Sequence, residues 1–188
     1  MAEAAEISGI ECVGLVKSCP GGEFAVGSKV AALMGGLGRT INGSYAEYTR
    51  SLGNRCCAIE SNPPWEELTA ITESYATAWT CLFRNLELTN NQTLVIRGAT
   101  SAFGQAALAD FYPLLQMASG VYLTFFSSFV FGTPQFSLSD VPLQAIAEKV
   151  AAGRYKAKPF RVFRFEDIRE AHRVMEANEA NGKLVVRL

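Results

Sequence analysis

The stretch Thr93-Leu94-Val95-Ile96-Arg97-Gly98-Ala99-Thr100-Ser101-Ala102-Phe103-Gly104-Gln105-Ala106-Ala107-Leu108 decides how the chain is read. A β-branched run ends at a glycine, small residues follow, and Gln105 to Leu108 are good helix formers. That order predicts strand, glycine-rich loop and helix start. Backbone N–H groups of Gly98, Thr100, Ser101 and Gly104 could cradle a phosphate; the same residues serve equally as an inherited tight turn. Asp110-Phe111-Tyr112-Pro113 then ends the helix early, and no second strand and helix follow. A dinucleotide site needs two βαβ halves and a ribose-binding residue at the end of the second strand, so the unit reads as cut short.

Outward from it, residues 7–60 show short β-rich runs, Ile10 to Val16, Lys29 to Met34 and Ser44 to Thr49, separated by glycine turns. This is the texture of an antiparallel sheet or barrel. A helix is predicted after Pro63-Pro64, with Glu66 and Glu67 in its first turn and a possible break near Ser74. Val121 to Phe131 reads as a strand with one aromatic face. Asp140 is expected to cap a helix carrying Leu143, Ile146, Ala147 and Val150. Arg161 to Phe165 reads as a strand, Glu166 to Asn178 as a helix and Leu184 to Leu188 as a closing strand. The class is mixed α and β.

With 17 basic and 18 acidic residues among 188, no charge footprint for nucleic acid or anionic lipid appears. Five cysteines without CxxC spacing read as reduced thiols. No signal peptide or membrane span is visible, so a soluble, cytoplasmic protein is expected.

Four further segments carry a resemblance. Gly9-Ile10-Glu11-Cys12-Val13-Gly14 is similar to the Gly-His-Glu-x-x-Gly segment of zinc alcohol dehydrogenases, with isoleucine in place of the metal-binding histidine. The others are Gly43-Ser44-Tyr45-Ala46-Glu47-Tyr48, Glu73-Ser74-Tyr75-Ala76-Thr77-Ala78-Trp79, and Glu170-Ala171-His172-Arg173 with Gly182-Lys183-Leu184-Val185-Val186. With Gly98 to Gly104 they run in order along nearly the whole chain. The set resembles zinc-independent medium-chain dehydrogenases/reductases of the quinone oxidoreductase and enoyl reductase type, truncated in the Rossmann domain and in the N-terminal strands.

The resemblance implies a GroES-like partial β-barrel catalytic domain with a vestigial Rossmann fragment. The expected organisation is one compact domain over 1–188. Residues 7–92 and 154–188 would form the catalytic part, and 93–153 the nucleotide-binding remnant with a dimerisation strand at 121–131. A homodimer is expected, because five aromatics in that strand would otherwise lie on an open edge.

In the resembling enzymes the positions of Tyr75, Thr77 and Trp79 lie beside nicotinamide and substrate. Two hydroxyls and an aromatic wall could polarise a carbonyl without a metal; the alternative is that Tyr75 and Trp79, at i and i+4, are helix core. Arg39, Asn42, Tyr45 and Tyr48 flank a loop similar to the one over that active site, with Arg39 as anion binder and Tyr45 as proton donor. A solvated arginine and a strand tyrosine are the competing readings. Phe125 and Phe129 are expected to hold substrate shape. His172 is read as a core histidine on a stripe with Ile168 and Met175, and Asp110 as a helix-end carboxylate.

The expected function is a cofactor-independent enzyme catalysing a non-redox cyclisation or isomerisation of a hydrophobic carbonyl or polyene. NADPH-dependent quinone or enoyl reduction is the first alternative, and a non-catalytic binding protein or inactive deletion product the second. No cofactor and no metal are expected.

Overall fold

The structure is a computed structural model that describes residues 5–87, 89, 126, 128–180 and 182–188. Strands β1 (Glu11–Leu15), β2 (Lys29–Leu33) and β3 (Cys56–Ala58) form an antiparallel sheet in the order β1-β2-β3. Its register pairs Val13 with Ala31 and Ala31 with Cys57. The antiparallel texture expected for residues 7–60 is present, with one correction. Ser44 to Thr49 is not a strand: residues 43–45 bond to residues 7–9 through Gly43 N–H to Ile7 C=O (2.7 Å) and Tyr45 N–H to Ser8 C=O (3.0 Å). The third strand is instead the short β3.

Helix α1 (Trp65–Trp79) begins after Pro64 and carries Glu66 and Glu67 in its first turn, where acid suits the helix dipole. Leu68, Ile71, Thr72 and Ala76 form its buried stripe, the spacing of one helical face. It runs unbroken through Ser74. A π-helical stretch, Thr80–Asn85, extends it, and the Leu86 N–H bonds the Cys81 carbonyl five residues back at 3.0 Å. Helix α2 (Leu143–Ala151) starts from Pro142, not from Asp140, which closes a separate 3-10 turn at Leu138–Asp140. Leu33, Leu68, Ile71, Leu143, Ala147 and Phe131 meet in the main core.

The chain ends in β4 (Arg161–Arg164), α3 (Ile168–Glu176) and β5 (Leu184–Arg187), with β4 and β5 parallel. Phe163, Ala171 and Val174 make a second small core. The stripe expected through Ile168, His172 and Met175 is therefore displaced by one position. Met175 is exposed, and His172 is half-buried outside that core.

The strand expected at 121–131 does not reach its C-terminal end. Ser128–Val130 is a 3-10 turn, and Phe131 is buried where it stacks edge-on against Phe126 at 5.2 Å. Packing within the chain thus claims two of the aromatics assigned to a dimer edge. Residues 121–125, with Phe125, lie outside the described residues, as do the strand at 93–96, the loop Gly98 to Gly104 and Asp110. All five cysteines are free thiols. Among the described residues no helix is long and apolar enough to cross a membrane.

Candidate functional site

A cleft of about 660 Å³ opens between β1, the start of α1 and β5, and Tyr45, Trp65 and Thr69 contribute to its walls. It gathers segments that are far apart in sequence. The first is Gly9-Ile10-Glu11. Gly9 has φ +102°, and a Cβ there would collide with the ring of Tyr45 and with Ser44. Glycine at this position therefore seats the tyrosine at the cleft.

Glu11 is the hub. Its carboxylate accepts hydrogen bonds from Thr72 Oγ1 and from the Glu73 N–H (2.9 Å) on α1, and pairs with Lys183 Nζ just before β5. The Glu11 side chain is 15% exposed and that of Lys183 27%. A half-buried carboxylate with three donors is well compensated. Ser44 Oγ donates to the Glu11 carbonyl at 2.7 Å. The Gly9-x-Glu11, Ser44-Tyr45, Thr72-Glu73 and Lys183 segments thus meet in one place.

Tyr45 packs against the edge of His172, with ring centroids 5.8 Å apart. Burial raises the pKa of its phenol above the ordinary value; the Glu11 carboxylate acts in the same direction and Lys183 opposes. Tyr45 is consequently a neutral donor across the physiological range. Cys12, also on the cleft wall, is pushed up to about 11, by burial first and then by Cys56 and Glu11. It is an inert thiol rather than a nucleophile.

The other described residues expected at the site do not line this cleft. Tyr75 donates its hydroxyl to the Lys156 carbonyl (2.9 Å) and lies 6.0 Å from the Tyr155 ring. Thr77 bonds Glu73 Oε1 at 3.0 Å, and Trp79 packs on Phe83 and the main core. The positions that the resemblance set beside a substrate make packing contacts and local bonds. Arg39 stacks over Phe129 at 3.9 Å. The Asn42 side chain accepts from the Glu6 and Ile7 N–H groups (3.0 and 3.2 Å), at a separate pocket of about 300 Å³. Of the described residues singled out as site candidates, Tyr45 alone lines the cleft. Glu11 and Lys183 were missed as site residues although both stand in the quoted motifs; the signal was a glutamate and a lysine far apart in the chain, which sequence cannot pair.

The loop Gly98 to Gly104, the candidate cradle for a dinucleotide, lies outside the described residues. Ile10 offers a metal no ligand, and no group of His, Cys, Asp or Glu among the described residues could hold one. At the starts of α1 and α3 a pyrophosphate would meet like charge, from Glu66 and Glu67 in the first and Glu170 in the second.

The family model for zinc-binding dehydrogenases matches residues 85–186, more than half of the 188 residues. This chain belongs to the zinc-binding dehydrogenase family. The match begins after Gly9 to Gly14, so it does not bear on the isoleucine at position 10. Two curated relatives are fungal polyketide synthases. The highly reducing polyketide synthase dmxL2 of Cryptosporiopsis sp. (strain 8999) is 32% identical over 102 residues, 53% of this chain and 4% of that protein. The lovastatin diketide synthase mokB of Monascus pilosus is 27% identical over 112 residues, 56% of this chain and 4% of that protein. The chain thus matches only about 4% of the length of these relatives.

Among solved structures, the Bacillus subtilis protein yhfP with NAD bound aligns with TM-score 0.67 at 16% identity, covering 99% of this chain and 84% of that one. An NAD-dependent alcohol dehydrogenase aligns with TM-score 0.62 at 18% identity, covering 97% and 82%. At such identities the likeness is one of fold, and it establishes the dehydrogenase-type mixed α and β fold expected from the sequence.

Proposed function

We propose that the cleft binds a hydrophobic carbonyl compound and that Tyr45 donates a hydrogen bond to its oxygen. The observation that supports this is a phenol kept protonated on an apolar cleft wall beside the Glu11–Lys183 pair. As negative charge grows on a carbonyl oxygen, a fixed donor in a poorly solvated site gains strength. Lys183 adds positive potential, while Ile10, Val13, Trp65 and Leu184 offer apolar surface to the rest of the molecule. Such polarisation acidifies the carbon next to the carbonyl; water in the open cleft takes that proton and returns it at another carbon, which is a non-redox isomerisation.

A second reading is NAD(P)H-dependent reduction of a quinone or enoyl compound. It is favoured by the family membership and by the NAD bound to the yhfP neighbour. Nicotinamide would supply the hydride, with Gly98, Thr100, Ser101 and Gly104 as its candidate cradle, and Tyr45 would hold the same carbonyl oxygen. We propose in addition that the protein acts as a homodimer, with Phe129, 46% exposed, at the contact.

The test is to incubate the protein with a panel of conjugated ketones and quinones, without and with NADPH or NADH. Product formed without nicotinamide, and lost about 100-fold in Tyr45→Phe, supports the first reading. Substrate-dependent consumption of NADPH or NADH establishes the second instead, and no product under either condition sinks both.

A further inference from the structure

The cleft is lined by consecutive residues on two sides, Gly9 to Val13 and Lys183 to Leu188. Side chains on a strand alternate between faces, so an unbroken run on a wall means that the strand turns its edge to the space. Among the described residues both strands are edges: β1 pairs only with β2, and β5 only with β4.

The backbone bonds say which groups are open. The Met34 N–H bonds the Ile10 carbonyl (2.8 Å) and the Val16 N–H bonds the Ser28 carbonyl (2.9 Å). Bonding alternates along an antiparallel ladder, so Cys12 and Gly14 also face β2, while Val13, on the cleft wall, and Leu15, just beyond its mouth, turn their N–H and C=O groups to the opposite side. Ser44 already occupies the outward carbonyls of Gly9 and Glu11. No described residue bonds the outward groups of Val13 or Leu15. Across the cleft, the Phe160 N–H bonds the Lys183 carbonyl (2.8 Å). In the parallel register this directs Val185 to β4 and leaves Leu184 and Val186 facing outward.

From these two facing rows of open donors and acceptors, we infer that the groove between β1 and β5 accepts an extended, uncharged peptide strand from a partner protein. Backbone amides of such a strand satisfy both edges at once and join the two sheets. The charge pattern favours a neutral occupant, because the four charged side chains on the walls are already paired, Glu11 with Lys183 and Glu66 with Arg187. Long open edges are normally blunted by charge or cover. Here Lys183 is drawn back to Glu11, and the open stretch stays apolar. The inference does not rest on the reaction assigned to Tyr45, whose side chain is not among the pairing groups.

The experiment uses the full chain and a capped hexapeptide of alternating valine and threonine, followed by residue-resolved amide hydrogen exchange. Exchange at Val13, Leu15, Leu184 and Val186 should slow about tenfold or more, while Cys12 and Val185, already facing partner strands, stay as they were. N-methylation of alternate peptide amides should abolish the effect, as should Val13→Pro, which removes one outward donor and leaves the β1–β2 ladder intact. No slowing at any of the four amides with millimolar peptide overturns the inference. Slowing of the same amides with rising protein concentration and no peptide also overturns it, because the occupant is then a second copy.

Discussion

Glu11 and Lys183 are 172 positions apart in the chain and form one ion pair at the cleft, with Glu11 also holding α1 through Thr72 and the Glu73 N–H. Glu11→Ala removes an acceptor shared by three donors, one of them the hydroxyl of the buried Thr72. The expected loss is about 2–3 kcal/mol, read as a lower urea midpoint. Glu11→Gln, which retains the shape and one oxygen, should lose about 1 kcal/mol. A midpoint unchanged in both variants would mean that the hub carries no stability.

Tyr75→Phe should cost about 1 kcal/mol through its bond to the Lys156 carbonyl, and leave turnover intact. Tyr45→Phe should do the reverse, reducing turnover while the midpoint barely moves. Parallel stability and activity measurements on both variants separate the two roles, and a turnover loss confined to Tyr75→Phe would move the site to α1.

Cys12 gives a pH dependence. Below pH 9.0, the ordinary thiol value, it is protonated in both states; as pH rises toward about 11 the unfolded chain ionises and the native chain does not. Stability present below pH 9 is therefore lost through that window, by about 2–3 kcal/mol for this group. Cys56, Cys57 and Tyr45 shift in the same direction, so Cys12→Ala should shallow the decline rather than remove it. Urea unfolding between pH 8 and 11 measures this; equal slopes in both proteins would contradict it.

If two copies meet at Phe129, light scattering should give about twice the 20.4 kDa chain mass, and Phe129→Asp should give a monomer. A monomer from the unaltered chain would show that Arg39, stacked on that ring, is cover enough.

What the sequence disclosed was local. Apolar runs bounded by glycine placed β1 and β2, Pro63-Pro64 placed the start of α1, and Arg161 to Phe165 and Leu184 to Leu188 were visible as strands, though not their parallel pairing. Ser44 to Thr49 misled because its β-prone residues spend their backbone groups on residues 7–9, not on a sheet. For Tyr75 the sequence left two readings open, because i and i+4 residues share a helix face whatever that face meets. The hub could not be foreseen, since an ion pair across most of the chain leaves no periodic trace. The segment that decided the reading, Gly98 to Gly104, lies outside the described residues, and the family match carries it instead.

The most direct measurement is a crystal structure with a conjugated aromatic ketone bound at saturating concentration. The ketone oxygen should lie about 3 Å from the Tyr45 hydroxyl, with its apolar body between Trp65 and Leu184. A ketone bound outside this cleft, beside Tyr75 and Tyr155 or against Arg39 and Phe129, would contradict the assignment of the site.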